Sequence, residues 1–273
     1  GFRDYFHGYM VPSTGYLRIF ALQSYPPGLT LRFPRTTPTM ELQPFVDYPK
    51  LLSVFREYGE WMHLMGVRDV GRLNQVIAEK HIRELVLIAE ALHEQRVARI
   101  AEEIAARRGQ IRLVLIAGPS SSGKTTFSRR LSIQLLANGL RPFALELDSY
   151  FVDRARTPRD ENGELDFEAL GALDVALFNG QLLRLLAGEQ VTLPHYNFKT
   201  GRREEGPTIR LQPDHIIIVE GIHGLNPDLI PDIPPGVAYH IYASALTQLN
   251  IDKHNRVPTT DTRLLRRIVR DAA

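Results

Sequence analysis

Gly118-Pro119-Ser120-Ser121-Ser122-Gly123-Lys124-Thr125 fills every fixed position of the pattern G-x-x-x-x-G-K-[ST]. The residue types fit one task. Glycines let the backbone curl into a nest of N–H groups around phosphates. A helix starting near Lys124 adds its positive end. Lys124 can reach the outer phosphates of a nucleotide, and the Thr125 hydroxyl can ligate Mg²⁺. Gly118, Ser120, Ser121, Ser122, Gly123, Lys124, Thr125 and Thr126 are therefore the expected nucleotide-binding residues. A Gly/Ser surface turn of the same spelling is the plainer alternative. The flanks argue against it, because 112–117 is an apolar run of strand length and 124–138 has helical spacing.

Outward from this loop, 142–147, 215–219 and 237–243 read as further strands. Helical spacing covers about 167–187, and helices are expected at 246–255 and 259–271. Apolar runs alternating with helices predict an α/β fold, a parallel sheet with helices on both faces. Residues 76–108 read as one or two amphipathic helices, ended by Arg107-Arg108-Gly109. Nearer the start, 16–25 and 29–33 read as short strands joined at Pro26-Pro27-Gly28, and 48–66 as a helix. The chain thus divides into a small α+β region, 1–109, and a nucleotide-binding domain, 110–273.

Composition narrows the chemistry. The 273 residues are 44% hydrophobic and 23% charged, with no cysteine. That suits a folded protein and excludes disulfides, thiolate zinc sites and cysteine nucleophiles. The formal net charge of +2 gives no global field for coating nucleic acid. Among 33 basic residues only Lys50, Lys80, Lys124, Lys199 and Lys253 are lysines, so a lysine within a phosphate motif is less readily a coincidence. No apolar stretch is long enough to span a bilayer, and a cytoplasmic location is expected. The start at Gly1 and the stop at Ala273 read as a trimmed chain whose C-terminal part is cut short.

Acids at strand ends come next, because ligands of parallel α/β sheets sit at the carboxyl ends of strands. Asp148 follows 142–147, placed either to accept a proton from an attacking hydroxyl or to hold Mg²⁺. Capping of a turn is its plainer role. Glu220 ends the apolar run 216–219, where an acid commonly serves Mg²⁺. Arg263, Arg266, Arg267 and Arg270 share one helix face. Such a stripe suits a phosphoryl group in flight, or else a solvated or RNA-facing surface.

These pieces occur in one order: 118–126, Asp148-Ser149-Tyr150-Phe151, Asp166-Phe167-Glu168, Pro194-His195-Tyr196-Asn197-Phe198, Glu220-Gly221-Ile222 and the run 261–271. The order resembles the uridine kinase and phosphoribulokinase family of P-loop kinases over about 110–273. The resemblance implies ATP and Mg²⁺, with Asp148 as the base on a nucleoside 5′-hydroxyl. It implies ribose contacts from Asp166, a substrate pocket of Tyr196 and Phe198 with help from His195, and Thr125 and Glu220 at the metal; ordinary core packing is the plainer role for the aromatic pair. Arg263, Arg266 and Arg270 would belong to a lid, the first two acting in catalysis with Lys124. The pocket segment departs from the family: uridine kinases show Tyr-Asp-Phe followed closely by a His, where this chain reads Tyr196-Asn197-Phe198-Lys199.

Residues 1 to about 90, through His7-Gly8-Tyr9-Met10, Tyr25-Pro26-Pro27-Gly28 and Leu73-Asn74, are similar to uridine kinase-like proteins whose front half resembles the accessory editing region of threonyl-tRNA synthetases. An intact editing site there needs a His-x-x-x-His and a Cys-x-x-x-His pair. Neither is present, so His7, His63, His81 and His93 are expected to be ordinary residues. The leading expectation is a small-molecule nucleoside kinase acting on a uridine or cytidine-like substrate, free of membranes and compatible with a homo-oligomer. The alternatives are a kinase of another sugar or small alcohol, and an RNA-linked P-loop ATPase or binding module.

Overall fold

The computed structural model describes residues 11–26, 28–34, 41–246, 249–252 and 255–272. His7 and Pro27 lie outside them. The chain divides into two units, 1–56 and 57–273.

In the first unit, β1 (Ala21–Tyr25) and β2 (Gly28–Arg32) form an antiparallel hairpin from Ala21↔Arg32 to Tyr25↔Gly28. The first strand is shorter than its apolar spelling predicts, because Thr14–Tyr16 forms a 3-10 turn capped by the Ser13 hydroxyl. Tyr25 packs edge-on against Phe45 at 5.8 Å and its hydroxyl meets Asp47.

Helix α1 is Pro49–Leu64, with proline in the first turn where its missing N–H costs nothing. Helices α2 (Val70–Ala78) and α3 (Ile82–Ala106) follow. They are two helices rather than one because Lys80 turns left-handed at φ 64°.

The centre of the second unit is a parallel sheet of β3 (Leu113–Ala117), β4 (Arg141–Glu146), β7 (His215–Glu220) and β8 (Ala238–Tyr242), ordered β4-β7-β3-β8. Alternation along its strands builds two cores, as strand geometry requires. Leu113 and Leu115 of β3 with Ile217 and Val219 of β7 join Phe178, Leu182 and Leu185 of α5 (Val175–Leu186). Val114, Ile116, Ile216 and Ile218 join Leu131 and Leu135 of α4 (Lys124–Ala137) and Val97, Ala101 and Ile104 of α3. This is the α/β P-loop fold that the alternating pattern predicts, with helices on both faces. Ile218→Ala, at 2% exposure in the middle of the sheet, is expected to cost about 2–5 kcal/mol. A lowered urea midpoint at unchanged m-value checks it.

Three expectations change. The helix expected from 167 begins at Val175, because Asp174 caps it, accepting from Leu177 N at 3.1 Å, and Leu170–Ala172 is a 3-10 turn. A second hairpin was not foreseen: β5 (Gln190–Asn197) pairs antiparallel with β6 (Arg202–Arg210), with an irregularity between Thr192 and Pro194. The described residues of 246–255 form no helix; Asn250 bridges to Asp69 and Arg256 instead. Helix α6 (Thr259–Ala272) closes the described chain.

Candidate active site

The loop after β3 takes its shape from its glycines. Gly123 stands at the start of α4 with φ 96°, and a Cβ there would lie 2.8 Å from Arg266 Nη2. A Cβ on Gly118 would drive into the Ala243 carbonyl and sit 2.8 Å from Ser122 Oγ. Ser121 holds a left-handed φ of 59°, a conformation a non-glycine residue keeps only when its surroundings enforce it. Lys124 curls back over this loop, its Nζ donating to Gly118 O at 2.8 Å and Pro119 O at 3.1 Å. Burial lowers the Lys124 pKa, helped by Arg263 and opposed by Glu220 and Asp148. Ser120 and Thr126 are exposed beside it.

Neighbouring strands bring in the acids. The Thr125 hydroxyl donates to Glu220 Oε1 at 2.8 Å. Glu220 Oε2, Ser121 Oγ and Ser122 Oγ are buried without a hydrogen-bond partner. Each such atom costs about 1–3 kcal/mol unless something satisfies it. A phosphate chain and Mg²⁺ fit this set of oxygens and hydroxyls. Among the described residues no cluster of three acids or histidines could hold a metal by itself.

Asp148 sits in the 3-10 turn Leu147–Tyr150 that follows β4. Burial raises its pKa, and the charges of Glu146 and Glu220 raise it further, with Lys124 acting against them. Hydrogen bonds tie Glu220, through Thr125, and Arg263, through Ser120 O, to the loop that carries Lys124, and Asp148 lies within reach of the charges of Lys124 and Glu220.

From α6, Arg263 Nε donates to Ser120 O at 3.0 Å and Arg266 Nε to Ser121 O at 3.1 Å. Arg270 instead turns to Asp271, with bonds of 2.9 and 2.8 Å, and Arg267 lies 3.6 Å from the same carboxylate. Half of the arginine stripe thus meets the loop.

Beyond Asp148, Phe151 collects an aromatic group. Its ring lies 5.5 Å from Phe167, 5.5 Å from Tyr196 and 6.2 Å from Phe198, all edge-on. Tyr196 is buried with its hydroxyl unpartnered, while Phe198 is 57% exposed. Asp166, next to Phe167, caps a turn by accepting from Glu168 N at 2.9 Å and Ala169 N at 3.0 Å. His195 is exposed, paired in register with Glu204 and one residue out of step with Tyr196, so the strand aims it away from the aromatic group. Phe151 and Phe167 were not singled out as site residues from sequence. Asp148-Ser149-Tyr150-Phe151 held the clue, since a residue three past a strand-end acid shares its turn. His223, in the loop after Glu220, was also passed over; its Nε2 is buried and unpartnered.

Three comparisons set this chain beside known proteins. The family described as Phosphoribulokinase / Uridine kinase matches residues 113–273. A uridine kinase of Leuconostoc citreum (strain KM20) is 32% identical over 120 residues, 43% of this chain and 56% of that protein. One of Halobacterium salinarum is 27% identical over 156 residues, 57% of this chain and 60% of that protein. The chain therefore spans less than two thirds of these relatives' lengths. The solved structure of a possible uridine kinase from Bacillus stearothermophilus covers 54% of this chain and 79% of its own, at 29% identity and a TM-score of 0.43. Among the described residues no helix is long and apolar enough to cross a membrane.

Proposed function

Since this chain belongs to the phosphoribulokinase and uridine kinase family, we propose that it transfers the γ-phosphoryl group of ATP to an alcohol of a small sugar-containing molecule, a nucleoside 5′-hydroxyl of the uridine or cytidine type. The observation that carries the reading is the gathering of Asp148, Glu220, Lys124 and Arg263 around the loop 118–125. The reaction is an in-line displacement. The acceptor oxygen forms a bond to phosphorus as the bond to the departing ADP oxygen breaks, and the hydroxyl proton passes to Asp148. The amides of 118–125 and Lys124 hold the phosphates. Arg263, tethered through Nε to Ser120 O, and Arg266, tethered to Ser121 O, keep their remaining N–H groups for transferring charge. Thr125 and Glu220 are the residues to hold Mg²⁺, which when bound neutralises phosphate charge. Phe198, exposed and backed by the buried rings of Phe151 and Tyr196, offers its ring to a flat base, with Asp166 for ribose hydroxyls.

A different sugar or small alcohol is a second reading, favoured by Asn197. Its Nδ2 donates to Glu204 at 2.8 Å and its Oδ1 accepts from Lys199 N and Thr200 N, so it shapes the hairpin turn rather than facing a substrate. For 1–109 we propose the threonyl-tRNA synthetase-like module without editing chemistry. α3 nonetheless lends Val97, Ala101 and Ile104 to the core beneath the sheet. The deciding measurement incubates the protein with [γ-³²P]ATP, Mg²⁺ and a panel of nucleosides, sugars and small alcohols. Label appearing on uridine or cytidine is the expected result. Label on another alcohol alone supports the second reading, and tRNA-stimulated hydrolysis with no labelled small molecule overturns both.

A further inference from the structure

Resting on that reading, we propose that His223 is a further catalytic residue, whose Nε2–H hydrogen-bonds an oxygen of the phosphoryl group as it passes between nucleotide and acceptor. Strand order sets the position. β7 lies between β4, which leads into the Asp148 turn, and β3, which leads into the phosphate loop. The loop leaving β7 consequently runs along the gap that the phosphoryl group crosses.

Contacts on both sides of His223 hold that loop in place. Gly221 N donates to Ile116 O at 3.1 Å. A Cβ on Gly221 would lie 2.7 Å from Leu147 Cδ2, the residue before Asp148, and a Cβ on Gly224 would lie 3.1 Å from Ala117 N, the residue before the phosphate loop. Asn226 N donates to His223 O at 2.8 Å and closes the turn. His223 is thus fixed between the acceptor side and the phosphate side.

The second observation is chemical. Among the described residues, half of the buried side-chain nitrogen and oxygen atoms without a hydrogen-bond partner lie on these two loops and at the end of β7: Ser121 Oγ, Ser122 Oγ, Glu220 Oε2 and His223 Nε2. Phosphate and Mg²⁺ account for the first three. Mg²⁺ prefers oxygen ligands, so the imidazole is not a metal ligand here. An apolar ligand would leave the nitrogen unsatisfied. A phosphoryl oxygen satisfies it, with the nitrogen as donor. Charge spreads over the equatorial oxygens during transfer, so a donor fixed there favours the transition state over the ground state. His223 keeps its proton throughout; the acceptor's proton goes to Asp148.

The experiment compares wild type, His223→Ala and His223→Gln in steady-state transfer, with melting temperature and affinity for a fluorescent ATP analogue measured alongside. His223→Ala is expected to lower kcat by on the order of 10²-fold, with both KM values within about threefold and analogue affinity retained. His223→Gln, which keeps an N–H donor, is expected to recover part of the loss, and it carries the test if the Ala variant melts early. Unchanged kcat in both variants overturns the proposal, as does a loss confined to the acceptor's KM. If the wild type itself labels no alcohol, the kinase reading fails too; a working wild type with indifferent variants sinks only the role of His223.

Discussion

Lys124→Ala is expected to lower phosphoryl transfer by on the order of 10³-fold while the fold survives. Lys124 brings a point charge to the loop, and its Nζ already bridges Gly118 O and Pro119 O. An ammonium has three donors, so one remains for the oxygens of the outer phosphates. Alanine removes that charge and the strap across the loop together, so nucleotide affinity falls along with turnover. The side chain sits at the start of α4, outside both apolar cores, so the melting temperature should stay nearly unchanged. Lys124→Arg should rescue little, because a planar fork does not reproduce a compact ammonium within this curl. Single-turnover transfer of labelled phosphate checks both variants. Activity within tenfold of wild type for Lys124→Ala would remove the lysine from the mechanism.

Asp148→Asn is expected to reduce kcat by roughly 10²–10⁴-fold, with ATP affinity changed only a few-fold. The carboxylate lies on the β4 turn and not in the phosphate loop, which separates its loss from nucleotide binding. The pH profile gives an independent readout. A base works only when ionised. Burial raises the Asp148 pKa, with Glu146 and Glu220 adding to the rise. Activity is therefore present above that raised value and lost as pH falls through it, at a higher pH than for an ordinary aspartate. The Asn variant should lack this acid limb. Glu146→Gln should move the limb to lower pH by removing one repelling charge. An acid limb that persists in Asp148→Asn assigns the base elsewhere.

The parallel sheet was legible because its strands are buried on both faces and spell uninterrupted apolar runs, as at 113–117 and 216–219. The phosphate loop was legible because glycine spacing and backbone shape are nearly one fact. The hairpin of β5 and β6 hid for the opposite reason. Only one face of β5 is covered, through Val191, Leu193 and Tyr196, and Pro194 breaks the alternation, while β6 is charged over much of its length. Helical spacing likewise overran its true start at 175, since Phe167 and Leu170 pack against the core from irregular backbone. At the site, residue types marked Asp148, Glu220, Arg263 and Arg266. What sequence could not provide was orientation. His195 and Tyr196 are adjacent letters that point to opposite sides of a strand, and Arg270 shares a stripe with Arg263 yet closes on Asp271.

Among the described residues, β5 and β6 form a ladder of their own, separate from the strands that lead into the phosphate loop and the Asp148 turn. Tyr196 sits on this appendage and Phe198 just past its end. Val191, Leu193 and Tyr196 nonetheless share one core with Leu147, Tyr150 and Phe151 of the Asp148 turn, so drift on the covered face of β5 would disturb that turn as well. Under the proposed kinase reading, a lineage carrying this architecture is freest to vary at the hairpin's exposed positions, Phe198 among them.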